Sequence, residues 1–315
     1  MKKIFFAAVF AGALLGLAAC GNRETVADPE TVVESIGEAQ SSDTAGETAN
    51  ETAENAELPT QAGITEDQSS TQEGDQVEFV IEDHEGSSDP EDKTRDYKYS
   101  YQTATITIPG NEAAQEKIQK ELDEYVADFV EGIQNGDLGT FYPDMPVYEQ
   151  SYENLSFNVI RADEKVISVS WAMDGYDQGA HGWFTGCYKN YYTQTGELIT
   201  FDSLGSGFRE KALELVTAKA AEMQAEQDIF YPDYERSIKL VVLDGTENLD
   251  TIYQEIYGTE IGGTGNGMAT PTFGITEDEI FFVSEQYVLQ SYADGIVDFA
   301  FTAEDFGDAL TADIF

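Results

Sequence analysis

Between Gly21 and Asp96 the chain contains one aromatic residue, Phe79, and no sustained apolar period. The stretch is rich in Glu, Thr, Ala, Ser, Gln and Gly, with 22 acidic against 3 basic side chains. Such a segment buries too little apolar surface to offset the entropy of ordering its backbone. Residues 20–96 therefore read as a disordered acidic tether, with Val77 to Glu82 the one strand-like run. As a flexible coil it would span roughly 45 to 50 Å, and like-charge repulsion extends it further. Any folded body must come from residues 97–315, where Tyr, Phe, Val and Ile become frequent. That length suits one sizeable domain, or two subdomains of about 97–195 and 196–315 sharing a core.

The first residues set an expectation about location. Lys2 and Lys3 precede an apolar run over 4–17 (IFFAAVFAGALLGL), which is short for a membrane span and suited to an export signal. The run ends in Leu17-Ala18-Ala19-Cys20, the pattern of a bacterial lipobox, in which the cysteine receives diacylglycerol. The expectation is a signal peptide over 1–19 and a lipidated Cys20 at the outer face of the bacterial cell membrane. Two acyl chains make such anchoring stable where one is marginal.

In the folded part, 97–109 alternates as a strand, with Ala104, Ile106 and Ile108 on one face. Asn111 then caps a helix whose stripe is Ile118, Leu122, Tyr125, Val126, Phe129, Val130 and Ile133. Strands are predicted over 154–160, 165–173 and 183–192, in an antiparallel meander, with a Gly-rich connection over 174–182. A second helix over about 207–226, capped by Ser206, presents Phe208, Ala212, Leu215, Val216 and the stem of Lys219. A helix fits 247–257, and strands end the chain in PTFGIT, EIFFV and 295–301. Strand runs interrupted by two principal helices predict an α+β fold, a mainly antiparallel sheet with both helices on one face.

The formal charge is −45, and 97–315 alone carries 39 acidic against 11 basic side chains. Nucleic acid is excluded as a partner, because phosphate binding needs clustered Lys and Arg. A cationic protein or polymer fits this field. With Cys20 lipidated, Cys187 is the one remaining cysteine, a buried structural thiol rather than a nucleophile. The two histidines, His84 and His181, form no zinc motif, and there is no nucleophile elbow or phosphate-cradling loop. No cofactor or metal is expected. Asp174 with Asp177, and Asp244 to Asp250, resemble calcium loops only faintly, and 262–267 (GGTGNG) reads as a surface loop.

Gly179-Ala180-His181-Gly182, the aromatic strand after it, the turn Thr195-Gly196-Glu197-Leu198, and Gln286 to Gly295 before the last strand stand out together. This constellation resembles the extracytoplasmic domain of the RsiV-like family, known from a lysozyme-sensing anti-sigma factor and from the N-terminal part of a peptidoglycan deacetylase. The likeness spans about 97–308. Gln178 stands where the family has the first glycine of the turn, and Gln286 and Ser291 where prolines are common. Thr200-Phe201-Asp202-Ser203 echoes a deacetylase motif without its second Asp or a zinc-binding His pair.

The lipobox and the resemblance together set the expectation of a non-enzymatic binding domain on a surface-displayed lipoprotein. Its ligand would be a cell-envelope or host-derived molecule, with lysozyme or another cationic protein as the candidate. Tyr176, His181, Trp183, Tyr287 and Tyr292 are the candidate contact residues. Structural roles compete at several of them: Gly295 for a backbone conformation closed to other residues, and His181 and Tyr292 for buried hydrogen bonds beside a turn. The alternative is a carboxylate-based or accessory factor in peptidoglycan metabolism, which needs two carboxyls in a cleft, one with a raised pKa. A lipid anchor with no second span sets an expectation of capture rather than inward signalling.

Overall fold

The computed structural model describes residues 76–87, 98–134, 152–176, 181–258 and 269–315. The lipobox, Cys20, Gly179-Ala180 and the 262–267 loop lie outside them. The fold is α+β, with the strands of the described residues in a five-stranded and a three-stranded sheet.

The larger sheet has the order β1-β2-β3-β4-β5 and begins earlier than composition suggests. Strand β1 (Glu78–Ser87) runs antiparallel to β2 (Lys98–Thr107) over its whole length. The tether boundary at 96 is therefore corrected: residues 78–87 belong to the folded body. Phe79 packs 5.7 Å from Phe157, while His84 stacks on Tyr101 at 4.9 Å and contacts Thr103 Oγ1 at 2.9 Å. Strand β2 pairs in parallel with β3 (Tyr152–Ala162) over Lys98 to Tyr101. The predicted meander follows, β3 to β4 (Val166–Tyr176) to β5 (Trp183–Tyr192), antiparallel throughout.

Helix α1 (Glu112–Gln134) enters after Gly110, at φ +70°, and Asn111 Oδ1 accepts from Ala114 N–H. The same Asn111 donates through Nδ2 to the carbonyls of Thr193 and Gln194, tying the helix start to the end of β5. Ile118, Leu122 and Phe129 are fully buried against the sheet, each contributing about 1.5–3 kcal/mol. They join Ile106, Leu155, Val169, Trp171 and Tyr191 in one apolar core. Gly196, at φ +66°, closes the Thr195-Gly196 turn so near α1 that a Cβ there would lie 2.7 Å from the Ala114 carbonyl oxygen.

A second core is built around the three-stranded sheet. Helix α2 (Phe201–Leu204) places Phe201 among Phe208, Phe273 and Phe282. Helix α3 (Phe208–Gln227) lays Phe208, Ala212, Val216 and Ala220 on that core. Two details of the predicted helix are corrected. Its N-cap is Gly207, at φ +83° with no side-chain cap, rather than Ser206. Lys219 points to solvent and pairs with Glu222, because Ala220 occupies the buried stripe. A 3-10 turn over Tyr234–Leu240 leads into buried Val241 and Val242, and α4 (Leu249–Tyr257) is capped by Asn248. Strands β6 (Phe273–Ile275), β7 (Glu279–Ser284) and β8 (Val297–Thr302) form an antiparallel sheet, closed by α5 (Ala303–Phe306). A buried polar hub joins the two parts. Ser168 Oγ donates to Asn190 Oδ1 at 2.7 Å and accepts from Ile275 N–H, while Asn190 Nδ2 donates to the Phe273 carbonyl.

Candidate functional site

The segment between β7 and β8 carries two of the candidate residues and is held by one buried amide. Gln290 has no exposed surface. Its Nε2 donates to the carbonyls of Ser284 (3.0 Å), Glu285 (3.3 Å) and Gly295 (2.8 Å), and its Oε1 accepts from Ser284 Oγ (2.9 Å). Two positions take left-handed backbone: Gly295 at φ +75°, as the sequence predicts, and Tyr287 at φ +67°. For a bulky aromatic side chain that conformation is costly and persists only where its surroundings impose it. The Tyr287 N–H bonds to the Gln290 carbonyl, and Tyr231 N–H to that of Leu289.

This framework brings Tyr287 and Tyr292 against His181, at the mouth of β5. The His181 ring stacks on Tyr292 with centroids 3.7 Å apart and planes 18° from parallel. Tyr287 lies 6.0 Å from His181 and 6.1 Å from Tyr292. His181 Nδ1 sits 2.7 Å from the Gly182 carbonyl, which only accepts, so Nδ1 carries a proton. In the neutral ring Nε2 is then an acceptor for the Tyr287 hydroxyl, 2.7 Å away. His181 is exposed and both tyrosines are half-buried. The expectation of buried hydrogen bonds at His181 and Tyr292 is corrected: the rings form an accessible platform, not part of the interior.

Tyr152 and Tyr231 extend this surface. The Tyr152 hydroxyl is pushed up by burial, with Asp174 and Tyr292 adding to it, and that of Tyr231 by burial with Tyr287 and Asp294 beside it. Burial and neighbouring Tyr292 likewise raise Tyr287. Tyr176 ends β4 in register with Tyr152. Trp183 is placed differently: its ring covers Gly175, where a Cβ would lie 2.5 Å from Trp183 Cζ2, and it packs on the first core. Ring faces with a nearby exposed carboxylate, Asp294, suit a Lys or Arg side chain through cation–π and ionic contact. Sequence reasoning missed Tyr152 and Tyr231, which neighbour Tyr292 and Tyr287 from distant parts of the chain, and Gln290, whose partners are near in sequence but follow no periodic pattern.

Cys187, Glu285 and the Arg209–Asp244–Glu247 group are occupied internally. Cys187 is buried, and desolvation pushes its thiol up to about 11. Glu285 is half-buried and raised by desolvation, and its Oε1 accepts from Thr185 Oγ1 (2.7 Å) and Gly186 N–H (2.6 Å). In the loop after Asp244 the cation is Arg209, paired with Asp244 and Glu247 and lying 4.7 Å over the Phe201 ring. Asp244 also accepts from Phe201 N–H and Thr246 N–H, which, with its Arg209 partner, hold it below the usual carboxylate range. Among the described residues no group of three or more His, Cys, Asp or Glu side chains converges as a metal site, and no helix is long and apolar enough to cross a membrane.

No family model and no curated protein matches the chain. Its neighbours among solved structures are DUF3298 family proteins. One, from Bacteroides fragilis, is 14% identical, with a TM-score of 0.47 over 75% of this chain and 94% of its own. Another, from Pseudomonas aeruginosa, is 11% identical, with a TM-score of 0.49 over 77% of this chain and 98% of its own.

Proposed function

We propose that this protein is a non-enzymatic binding lipoprotein, displayed through a lipid on Cys20 at the outer face of a bacterial membrane. In this reading its folded domain captures a cationic ligand, with lysozyme the candidate that the RsiV-like resemblance implies. The observation that carries the reading is the accessible His181–Tyr287–Tyr292 cluster, maintained by a left-handed tyrosine and a fully buried glutamine. Strain kept at a surface cluster accords with binding better than with packing, since exposed rings add little to stability where they stand. The acidic field raises the encounter rate of a cationic partner, and the rings supply the short-range contacts.

Calorimetric titration of the full chain with lysozyme, at low and at physiological salt, tests the proposal. Binding should persist at physiological salt and weaken about tenfold in Tyr292→Ala, with folding checked by circular dichroism. Absence of binding at low salt sinks the lysozyme assignment. Binding that vanishes at physiological salt, or is indifferent to Tyr292→Ala, sinks the aromatic site. Lipid attachment is tested separately: radiolabelled palmitate should enter the wild-type chain and not Cys20→Ser.

A further inference from the structure

The two margins of the five-stranded sheet are treated differently. Beyond β5, Tyr188 N–H bonds to the Pro271 carbonyl, Ile199 N–H to that of Asn190, and Tyr192 N–H to that of Glu197, so neighbouring segments cover that edge. At the other margin β1 gives its inner edge to β2 from Glu78 to Ser87, and no strand among the described residues lies along its outer edge. The stretch from Glu78 to Gly86, within β1, makes that edge about 30 Å long. Natural sheets usually shorten, bulge or cover such an edge, because its unpaired N–H and C=O groups template another strand.

The side chains on β1 narrow what that strand can be. Val80 and Ile81, at 59% and 43% exposure, are the two most exposed large apolar side chains among the described residues. As strand neighbours they point to opposite faces, so an added strand would find an aliphatic contact on each. Around them Glu78, Glu82, Asp83 and Glu85 are all exposed, and the strand has no Lys or Arg. Charges on an edge protect it against pairing, but here they share one sign. They oppose a second copy, which would set carboxylates against carboxylates across the new ladder. They do not oppose a basic strand.

The geometry points to β1 as an acceptor edge that binds an extended cationic polypeptide segment, with Lys or Arg alternating with aliphatic residues, by adding it as a sixth strand to the sheet. Main-chain hydrogen bonds would supply affinity, while Val80, Ile81 and the four carboxylates select the side chains. This surface is independent of the His181–Tyr287–Tyr292 platform and stands whether or not that platform binds lysozyme.

The probe is a short capped peptide alternating lysine with valine and isoleucine, fluorescently labelled and titrated against the full chain by anisotropy. A second peptide of the same sequence is N-methylated at alternate amides, which keeps its charge and removes the ladder. The unmodified peptide should bind, the N-methylated one at least about tenfold more weakly. Amide exchange should slow over 78–86, and Glu82→Lys with Glu85→Lys should weaken binding by a similar factor while the circular dichroism stays unchanged. Equal binding of both peptides reduces the effect to Coulomb attraction and overturns the proposal. So does the absence of binding, protection elsewhere, or a chain that dimerises and protects 78–86 without peptide.

Discussion

Replacing Gln290 with methionine keeps the length of a buried side chain and deletes all of its side-chain hydrogen bonds. A buried donor or acceptor stripped of its partner costs about 1–3 kcal/mol. Ser284 has no exposed surface, so its hydroxyl and its carbonyl both lose the amide with no water to replace it. Gly295 is half-exposed, and water can take over part of the bond to its carbonyl. Two sealed groups and part of a third put the loss near 3–4 kcal/mol, and for a domain of this size each kcal/mol lowers the melting midpoint by about 2–4 °C. The midpoint should therefore fall by roughly 8–12 °C in scanning calorimetry. The loop provides a second readout. Without Gln290 nothing comparable opposes relaxation of Tyr287 from φ +67°, so its bond to His181 should open, visible as a shift of the His181 ring proton resonances. Gln290→Glu keeps the acceptor for Ser284 but sets a buried carboxylate against carbonyl oxygens, and at neutral pH should destabilise at least as much as Gln290→Met. A Gln290→Met loss below about 1 kcal/mol, with the His181 resonances in place, would refute the reasoning, since the amide would then hold nothing together.

Glu285 makes stability depend on pH in a definite direction. Its folded pKa is raised, mainly by burial, so the folded state holds the proton more tightly than the unfolded one. Stability is thus greatest at low pH for this group and falls as pH rises from its ordinary value of 4.5 through the raised one. Glu285→Gln, which keeps the acceptor for Thr185 and Gly186, should flatten that slope and raise stability at neutral pH in denaturant melts; an unchanged slope counts against the assignment. In a Cys20→Ser chain Cys187 should resist Ellman's reagent at pH 8 until denaturant is added, because its thiol is buried and titrates at about 11; prompt reaction of the native chain would contradict this. Gly175→Val should displace the Trp183 ring, cost about 1–3 kcal/mol and red-shift tryptophan emission, whereas an unshifted spectrum means the ring was not seated there.

Where a pattern is local, the sequence announces the structure. The α1 stripe, its Asn111 cap and the β3–β4–β5 meander depend on spacings within one segment, and the observed elements follow them within a few residues. Strand β1 announces itself only in part, as the strand-like run Val77 to Glu82, because six of the ten residues of EFVIEDHEGS are polar and it adjoins a long acidic stretch. Its order comes from pairing with β2, and the apolar alternation that would signal a strand is confined to Phe79 and Ile81. The parallel contact of Lys98–Tyr101 with Tyr152–Leu155 joins segments separated by a whole helix, which no periodicity encodes. The candidate site is split in the same way. Tyrosines near a Gly-rich turn could be named from sequence, but only the fold separates Trp183, spent on packing over Gly175, from Tyr287 and Tyr292, which meet a histidine 106 and 111 residues away.

The Ser168–Asn190 hub has a consequence for the order in which the chain folds. Its bonds to β6 span 107 residues from Ser168 to Ile275 and 83 from Asn190 to Phe273. The hub is complete only when β4 and β5 are paired, since Ser168 and Asn190 face each other across that ladder. Closing loops of that length delays the reward for assembling the second core, so the C-terminal half should be the slow phase of refolding. Val166, in β4, is itself part of that core, so the N-terminal sheet supplies part of the wall on which the C-terminal half packs. A nascent chain would hold its later half in waiting until the first sheet offered it a place to dock.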